Sequence, residues 1–307
     1  MSIQSDYIWF NGKMVPWSEA NVHVMTHALH YGLGIFEGIR AYKCLDGGSA
    51  VFRLKDHMHR LAMSAHILRM PMPFSEEETY NAVIETLKAN KQDEAYVRPL
   101  AFIGAGNMGI YPGNNPVETI IATWFMGAYL GEGALEKGIR VKTSTFIRHH
   151  PNAMMTKAKA AGNYVNSILA KMEAVDDGYD EAMLLDSTGF VSEATGENMF
   201  IVRNGVIKTT PLTSVLDGIT RNSLITVARD LGYEVLEQQF TRDEVYVAEE
   251  AFFCGTAAEV TPICEVDRRV IGKGSAGPVT KHIQEAFFKA VKGGDPKYAH
   301  WLDRYEI

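Results

Sequence analysis

Thr156-Lys157-Ala158-Lys159-Ala160-Ala161-Gly162-Asn163-Tyr164 sets two lysines among very small side chains, with a tyrosine five residues past the second. Small neighbours leave an ammonium group room and few fixed carboxylates beside it. A lysine that forms a Schiff base needs that setting, because its amine must be reachable and must lose its proton near neutral pH. A solvent lysine needs neither, and most lysines are solvent lysines. In an extended stretch residues two apart point the same way, so residue chemistry does not choose between Lys157 and Lys159. The segment gains its weight from the residues downstream of it.

Three later segments suit a phosphate-bearing aromatic group. Val191-Ser192-Glu193-Ala194-Thr195-Gly196-Glu197-Asn198 offers carboxylates on a short turn between two apolar runs. A carboxylate held against a pyridine nitrogen keeps it protonated, and the ring can then accept electrons. In Leu216-Asp217-Gly218-Ile219-Thr220-Arg221, Gly218 reads as a tight turn and Thr220 as the opening of a helix from Asn222 to Leu231. The N–H groups at such an opening bind phosphate. Cys254-Gly255-Thr256-Ala257-Ala258-Glu259-Val260-Thr261-Pro262 reads as a strand that breaks into a turn with a hydroxyl and open amides, again suited to an anion. Each alone is an ordinary loop. Their order after the lysine segment is hard to explain as loops.

The rest of the chain organises around these pieces. Its 307 residues suffice for one large or two ordinary domains. Tyr7-Ile8-Trp9-Phe10, Asn11-Gly12 and Lys13-Met14-Val15 form a hairpin signal, and a second strand pair flanks Asp46-Gly47-Gly48. Leu54 to Leu68 has helical spacing, and Ser75 with Glu78 is a capping box for a helix to about Asn90. Tyr96 to Ile103 and Glu118 to Phe125 read as buried strands. Residues 1–126 are therefore expected to form a small α+β domain, and the glycine-rich residues 127–138 a linker. Residues 139–307 are expected to form a larger, barrel-like domain. In it a helix runs from Tyr164 to about Val175, Asn204-Gly205 marks a hairpin, Thr241 with Glu244 is a second capping box, and Pro278 to Val291 is an amphipathic helix. The site is expected where the two domains meet.

Composition bounds the function. Hydrophobic residues make up 46% and charged residues 22%, as in ordinary globular chains. A net charge of −7 argues against a nucleic-acid or acidic-membrane partner. No stretch is long and apolar enough to span a membrane, and the first residues lack the apolar core of a signal peptide. The three cysteines, Cys44, Cys254 and Cys264, have no metal spacing and fit reduced thiols in a cytoplasm. His149-His150 has no further ligands at suitable spacing, so no metal is expected.

Taken together, these segments resemble those of the fold-type-IV, D-amino acid aminotransferase-like pyridoxal-phosphate enzymes, and most closely the branched-chain amino acid aminotransferases. The likeness runs from about Tyr7 to Trp301. It includes His27-Ala28-Leu29-His30-Tyr31-Gly32, Phe36-Glu37-Gly38-Ile39-Arg40, His57-Met58-His59-Arg60-Leu61, Tyr96-Val97-Arg98-Pro99-Leu100 and Gly127-Ala128-Tyr129-Leu130. It implies pyridoxal 5'-phosphate on Lys159, chosen over Lys157 by the Ala-Gly-Asn-Tyr that follows it. It implies Tyr164 on the cofactor's phenolic oxygen and Glu193 on the ring nitrogen, with Glu197 the alternative or a structural partner of a nearby cation. Phosphate would fall to Arg60, the Ile219 and Thr220 amides, and Thr256. The implied reaction passes an amino group reversibly, in ping-pong fashion, between L-leucine, L-isoleucine or L-valine and 2-oxoglutarate.

The same resemblance implies the substrate set. Tyr31, Phe36, Gly38, Tyr129, Tyr164, Met108 and Ile110 would wall an apolar pocket, Arg98 would meet the γ-carboxylate, and Tyr96, Thr256, Ala257 and Ala258 the α-carboxylate. Tyr31 and the Gly104–Ile110 loop would come from a neighbouring subunit, which implies a homodimer or a higher homo-oligomer such as a hexamer. Met126, with Trp124 two residues earlier, stands where bacterial members often carry Trp, a departure that broadens or shifts substrate scope. D-amino acid aminotransferases, R-selective amine transaminases and aminodeoxychorismate lyases share the fold. Tyr96-x-Arg98-Pro99 speaks against the first two and the apolar pocket against the third. An intact lysine, ring carboxylate and substrate set argue against a carrier without turnover.

Overall fold

A computed structural model describes residues 4–127, 129–131 and 133–307. The first three residues, read above for a leader, lie outside them, as do Ala128 and Glu132 of the expected linker. The helices are α1 (His27–Tyr31), α2 (Leu54–Ile67), α3 (Glu76–Ala89), α4 (Ala134–Lys137), α5 (Tyr164–Asp176), α6 (Ile219–Asp230), α7 (Arg242–Tyr246) and α8 (Pro278–Val291). The chain divides into two compact units. One comprises Met1–Gly127, Ala158–Gly162 and Lys289–Ile307, the other Ala128–Lys157 and Asn163–Phe288.

Among the described residues the first unit holds an eight-stranded sheet. Its order is Leu302–Tyr305, Ser49–Phe52, Ile39–Lys43, Ala95–Ile103, Val117–Trp124, Tyr7–Phe10 and Lys13–Pro16, with Gly34–Phe36 also paired to Ala95–Ile103. Asn11 and Gly12 take φ of 46° and 87°, the pair of positive angles that a two-residue hairpin needs to follow strand twist. Trp9, Ile39, Val51, Leu54, Met58, Val83, Leu87, Val97 and Ile121 are buried together where α2 and α3 cover the sheet. No side chain of its own neighbourhood caps α2; instead the Leu54 N–H donates to Asp303 from the last strand at 3.0 Å. Residues Ala158–Gly162 are stitched to this unit by backbone. Phe36 N donates to Lys159 O at 3.0 Å, Lys159 N to Ser64 Oγ at 3.0 Å, and Ala160 bridges Ile35.

In the second unit nine strands among the described residues run in the order Val191–Ala194, Glu181–Leu185, Ile139–Thr143, Glu259–Val266, Glu250–Gly255, Asn198–Arg203, Val206–Thr209 and Val235–Glu237, with Arg269–Val270 on Glu259–Val266. The long strand Glu259–Val266 makes the sheet curl. Its first half pairs antiparallel with Glu250–Gly255, its second half parallel with Ile139–Thr143. Val141, Met183, Val191, Met199, Ile201, Phe253 and Ile263 fill the inside.

Three expectations need correction. Thr241 makes no cap bond to α7, because Glu244 is drawn off to Lys208 and the Thr241 hydroxyl bonds Asp243. Helix α6 starts at Ile219, three residues before Asn222, so Thr220 lies in its first turn. Gly218 does not turn tightly, since its φ is −74° and its ψ 125°. It is glycine for lack of space: a Cβ there would overlap Asn198 Oδ1.

The Ser75–Glu78 capping box is complete, with the Ser75 side chain accepting from Glu78 N and the Glu78 carboxylate accepting from Ser75 N. Ser75→Ala should cost about 1 kcal/mol. Thermal unfolding followed by circular dichroism should then show a midpoint lower by about 2–4 °C. An unchanged midpoint would mean that the box contributes nothing.

Candidate active site

The structure tells the two lysines apart. Lys157 Nζ donates to the backbone carbonyls of Leu212 and Val215, the second at 2.8 Å. Lys159 is half-buried, and its Nζ lies 5.0 Å from the centre of the Phe36 ring. The small residues around it are what let this extended segment lie against Ile35 and Phe36 on one side and Ser64 on the other.

Beside Lys159 the first unit carries a charge network that sequence reasoning missed. Glu37 is fully buried. Its carboxylate takes His57 Nδ1 at 2.7 Å, Arg60 Nε at 2.7 Å and Arg60 Nη2 at 2.8 Å. Burial alone would raise the Glu37 pKa, but the Arg60 guanidinium and His57 bring it far below the usual carboxylate range. Burial lowers the His57 pKa, against the pull of Glu37 and with the help of Arg60 and Lys159. A usable signal existed: His57 and Arg60, three apart, share a helix face, and an arginine and an imidazole side by side suit an acid between them. Arg60, expected on phosphate, is thus found in a two-pronged pair with Glu37.

Phe36, Gly38, Tyr96 and Arg98 are brought together. The Arg98 guanidinium lies over the rings of Phe36 at 4.6 Å, Tyr96 at 5.4 Å and Trp124 at 5.8 Å, and donates to the Tyr96 hydroxyl at 3.2 Å. Gly38 has no side chain because the Tyr96 hydroxyl fills that place. Trp124 packs on Tyr96 at 5.0 Å between ring centres, so the tryptophan two positions before Met126 joins this cage. Tyr31 and Met108 form a second group. The Tyr31 hydroxyl donates to Met108 O at 2.9 Å, His27 Nε2 bonds Gly109 O at 2.8 Å, and Ile110 stands exposed.

In the second unit Glu193 sits on the strand Val191–Ala194, nearly fully buried. Its Oε1 pairs with Arg148 Nη2 at 2.8 Å, and Arg148 Nη1 donates to Ser167 Oγ at 3.0 Å. Glu193 Oε2 accepts from Asn198 Nδ2 at 3.2 Å and Leu216 N at 3.1 Å. Arg148 and Asn198 were not anticipated. Arg148 lies too far away in sequence to give a signal, whereas Asn198 was in plain view at the end of the segment that carries Glu193. Glu197 accepts from Gly196 N at 3.0 Å. Burial first, and then the neighbouring Glu181 carboxylate, push its pKa up to about 8, with Gly196 N and Lys171 opposing. That setting disfavours the charged form, whereas Glu193 has an arginine beside it. Ile219 and Thr220 open the twelve-residue helix α6. Thr256, Ala257 and Ala258 form the turn between Glu250–Gly255 and Glu259–Val266, where Ala257, Ala258 and Tyr129 line one small pocket. Tyr164 is the first residue of α5.

This donor set fits a phosphorylated pyridine. An ion-paired carboxylate held by backbone and amide donors suits a ring nitrogen, and the N–H groups of a helix start suit a phosphate. The family model for class IV amino-transferases matches residues 34–266. A branched-chain-amino-acid aminotransferase of Pseudomonas aeruginosa is 50% identical over 301 residues, 98% of each chain. The crystal structure of the Escherichia coli branched-chain amino acid aminotransferase superposes with a TM-score of 0.96 at 48% identity, covering 98% of this chain and 99% of that one. The T.th. branched-chain amino acid aminotransferase complexed with N-(5'-phosphopyridoxyl)-L-glutamate gives 0.94 at 50% identity, with the same coverage. The chain belongs to the class IV aminotransferase family and, within it, to the branched-chain-amino-acid aminotransferases. Its fold is accordingly fold type IV.

The raised pKa of Glu197 has a stability consequence. Between about 4.5 and about 8 the folded chain holds a proton that the unfolded chain releases, so stability falls as pH rises through that window. Glu197→Gln stays neutral and removes the fall. Its melting temperature should match wild type near pH 5 and exceed it at pH 9 by about 2 °C for each kcal/mol recovered. Parallel curves for both proteins would refute the idea.

Proposed function

We propose that the enzyme transfers the amino group of L-leucine, L-isoleucine or L-valine to 2-oxoglutarate, reversibly, with pyridoxal 5'-phosphate as cofactor. When bound, pyridoxal phosphate supplies a carbonyl that links to amines and a ring that takes up the electron pair left when Cα loses its proton. Lys159 contributes the amine that holds the cofactor, then moves the proton at Cα as base and acid. Glu193, kept in place by Arg148, Asn198 and Leu216 N, holds a proton on the ring nitrogen. The first turn of α6 and Thr256 orient the phosphate, and Arg60 adds positive charge from its pair with Glu37. Tyr164 orients the ring through its phenolic oxygen.

The observation that carries the substrate reading is Arg98. Among the described residues no carboxylate pairs with it, its Nε is buried without a hydrogen bond, and three aromatic rings surround it. A caged cation of this kind suits the γ-carboxylate of 2-oxoglutarate or L-glutamate, while the cage walls suit a branched aliphatic chain. Tyr96 with the Thr256–Ala258 turn would hold the α-carboxylate, and Tyr129 the flank of the pocket. A homodimer accounts for the first unit's exposed apolar face. Leu29, Ile110 and Tyr111 stand in solvent, and Val22, Ala28, Leu29, Leu100, Phe102 and Ile120 line an apolar groove of ≈ 330 Å³. In that dimer Tyr31, Met108 and Ile110 serve the neighbouring copy's substrate. Among the described residues no helix is long and apolar enough to cross a membrane, and three free thiols suit the cytoplasm.

A half-reaction tests the reading. Mixed with L-leucine and no keto acid, the yellow holoenzyme should lose its visible band, and 2-oxoglutarate should restore it. Bleaching by a D-amino acid or an R-amine instead of L-leucine would reject the substrate and keep the cofactor. Arg98→Met should raise the KM for L-glutamate about 100-fold and change that for L-leucine much less, because only the first places a charge there. Equal losses on both would remove Arg98 from the γ-carboxylate.

A further inference from the structure

From Thr210 to Gly218 the second unit's chain runs without helix or strand, and side chains from elsewhere in that unit grip it along its length. Ser192 Oγ donates to Ser214 O at 3.1 Å. Leu216 is held at both ends, its N–H on Glu193 Oε2 and its carbonyl on Asn198 Nδ2, each at 3.1 Å. Arg221 donates to Thr210 O at 2.8 Å. The middle of the loop is fastened by Lys157, whose ammonium donates to Leu212 O and Val215 O. Gly218 follows, wedged against Asn198, and α6 begins at the next residue.

A loop without ladder bonds would otherwise sample many backbone states. The directions of the first N–H groups of α6 depend on how it enters the helix. Lys157 is half-buried, and burial lowers its pKa while Asp217 and Glu193 raise it and Arg221 lowers it further. An ammonium in that place needs the two carbonyls in exchange for water, so the lysine and the loop fix each other. We infer that Lys157 is a positioning residue for the cofactor's phosphate: by holding Leu212 and Val215 it sets the approach to the first turn of α6. The inference rests on the aminotransferase reading, which puts a phosphate at that turn. Lys157 acts through the loop and takes no part in the chemistry at Cα.

The test compares apoprotein of wild type, Lys157→Met and Lys157→Arg. Each is titrated with pyridoxal 5'-phosphate and with pyridoxal, which lacks the phosphate, and followed by the visible band of the lysine-bound cofactor. Inorganic phosphate serves as a competitor, and a far-ultraviolet melt reports folding. Lys157→Met should weaken pyridoxal phosphate about tenfold or more, the loss of one charged hydrogen bond or two. Pyridoxal should stay within about twofold. The visible band should survive, inorganic phosphate should compete less well, and Lys157→Arg should recover most of the loss. If the Met variant does not fold, Lys157→Gln, which keeps a donor at shorter reach, serves the same comparison. Equal weakening of both aldehydes, or of neither, overturns the inference. A variant that binds pyridoxal phosphate without a visible band overturns it differently: Lys157 would then be the lysine that carries the cofactor, and the assignment of Lys159 would fall too.

Discussion

A carboxylate shut away from water keeps its charge only while cations and donors surround it. In each unit of this chain one such carboxylate fixes the positions of its neighbours. Glu37 takes a side-on pair from Arg60 and a third bond from His57, so it sets where α2 presents both groups. Glu193 binds Arg148 with one oxygen and Asn198 and Leu216 N with the other, and so ties the strands Val191–Ala194 and Asn198–Arg203 to the loop before α6. Removing one partner would leave a buried ion uncompensated, which costs more than the pair contributes. These arrangements are therefore rigid in a way that surface ion pairs such as Lys43–Asp93 are not.

The two carboxylates on the turn from Val191 to Asn198 show how environment separates like groups. Glu193 and Glu197 are four residues apart and both nearly fully buried. One meets an arginine. The other meets Gly196 N and a second carboxylate, Glu181, whose own charge is taken up by Lys171 and the Thr195 hydroxyl. The first has a cation to balance its charge, and the second sits where the charged form is disfavoured. No property of the local sequence predicts that division, since it depends on Arg148 and Glu181, which are brought in from elsewhere in the chain.

What was legible in the sequence was local. Asn11-Gly12 and Asn204-Gly205 made their hairpins because positive φ at both turn residues is a property of those two residues alone. The Ser75–Glu78 box formed from two residues on one turn, each side chain bonded to the other's backbone. Thr241–Glu244 has the same spacing and failed, because Lys208 on a neighbouring strand holds Glu244. Gly218 was rightly noticed for the wrong reason: the constraint is the Asn198 side chain packed against it, twenty residues back in the chain, and not a backbone angle. Lys157 and Lys159 looked equivalent for the same cause. Their difference lies in Leu212 and Val215, carbonyls more than fifty residues further on.

On the function proposed above, Arg98 would pose the problem that a two-substrate pocket must solve. A guanidinium with a dedicated carboxylate partner would bind a second carboxylate poorly, and one left bare in an apolar pocket would be costly whenever an aliphatic side chain displaced its water. The rings of Phe36, Tyr96 and Trp124 offer a third course. Their faces attract the cation at modest strength and without a formal charge. In that reading the arginine would lie against a leucine side chain without becoming an unpaired buried ion. Its buried Nε, without a hydrogen bond, would gain by meeting a carboxylate. On this argument the aromatic residues do more than wall the pocket. They would hold the arginine's energy between the two extremes, so that neither class of substrate would meet a site built only for the other.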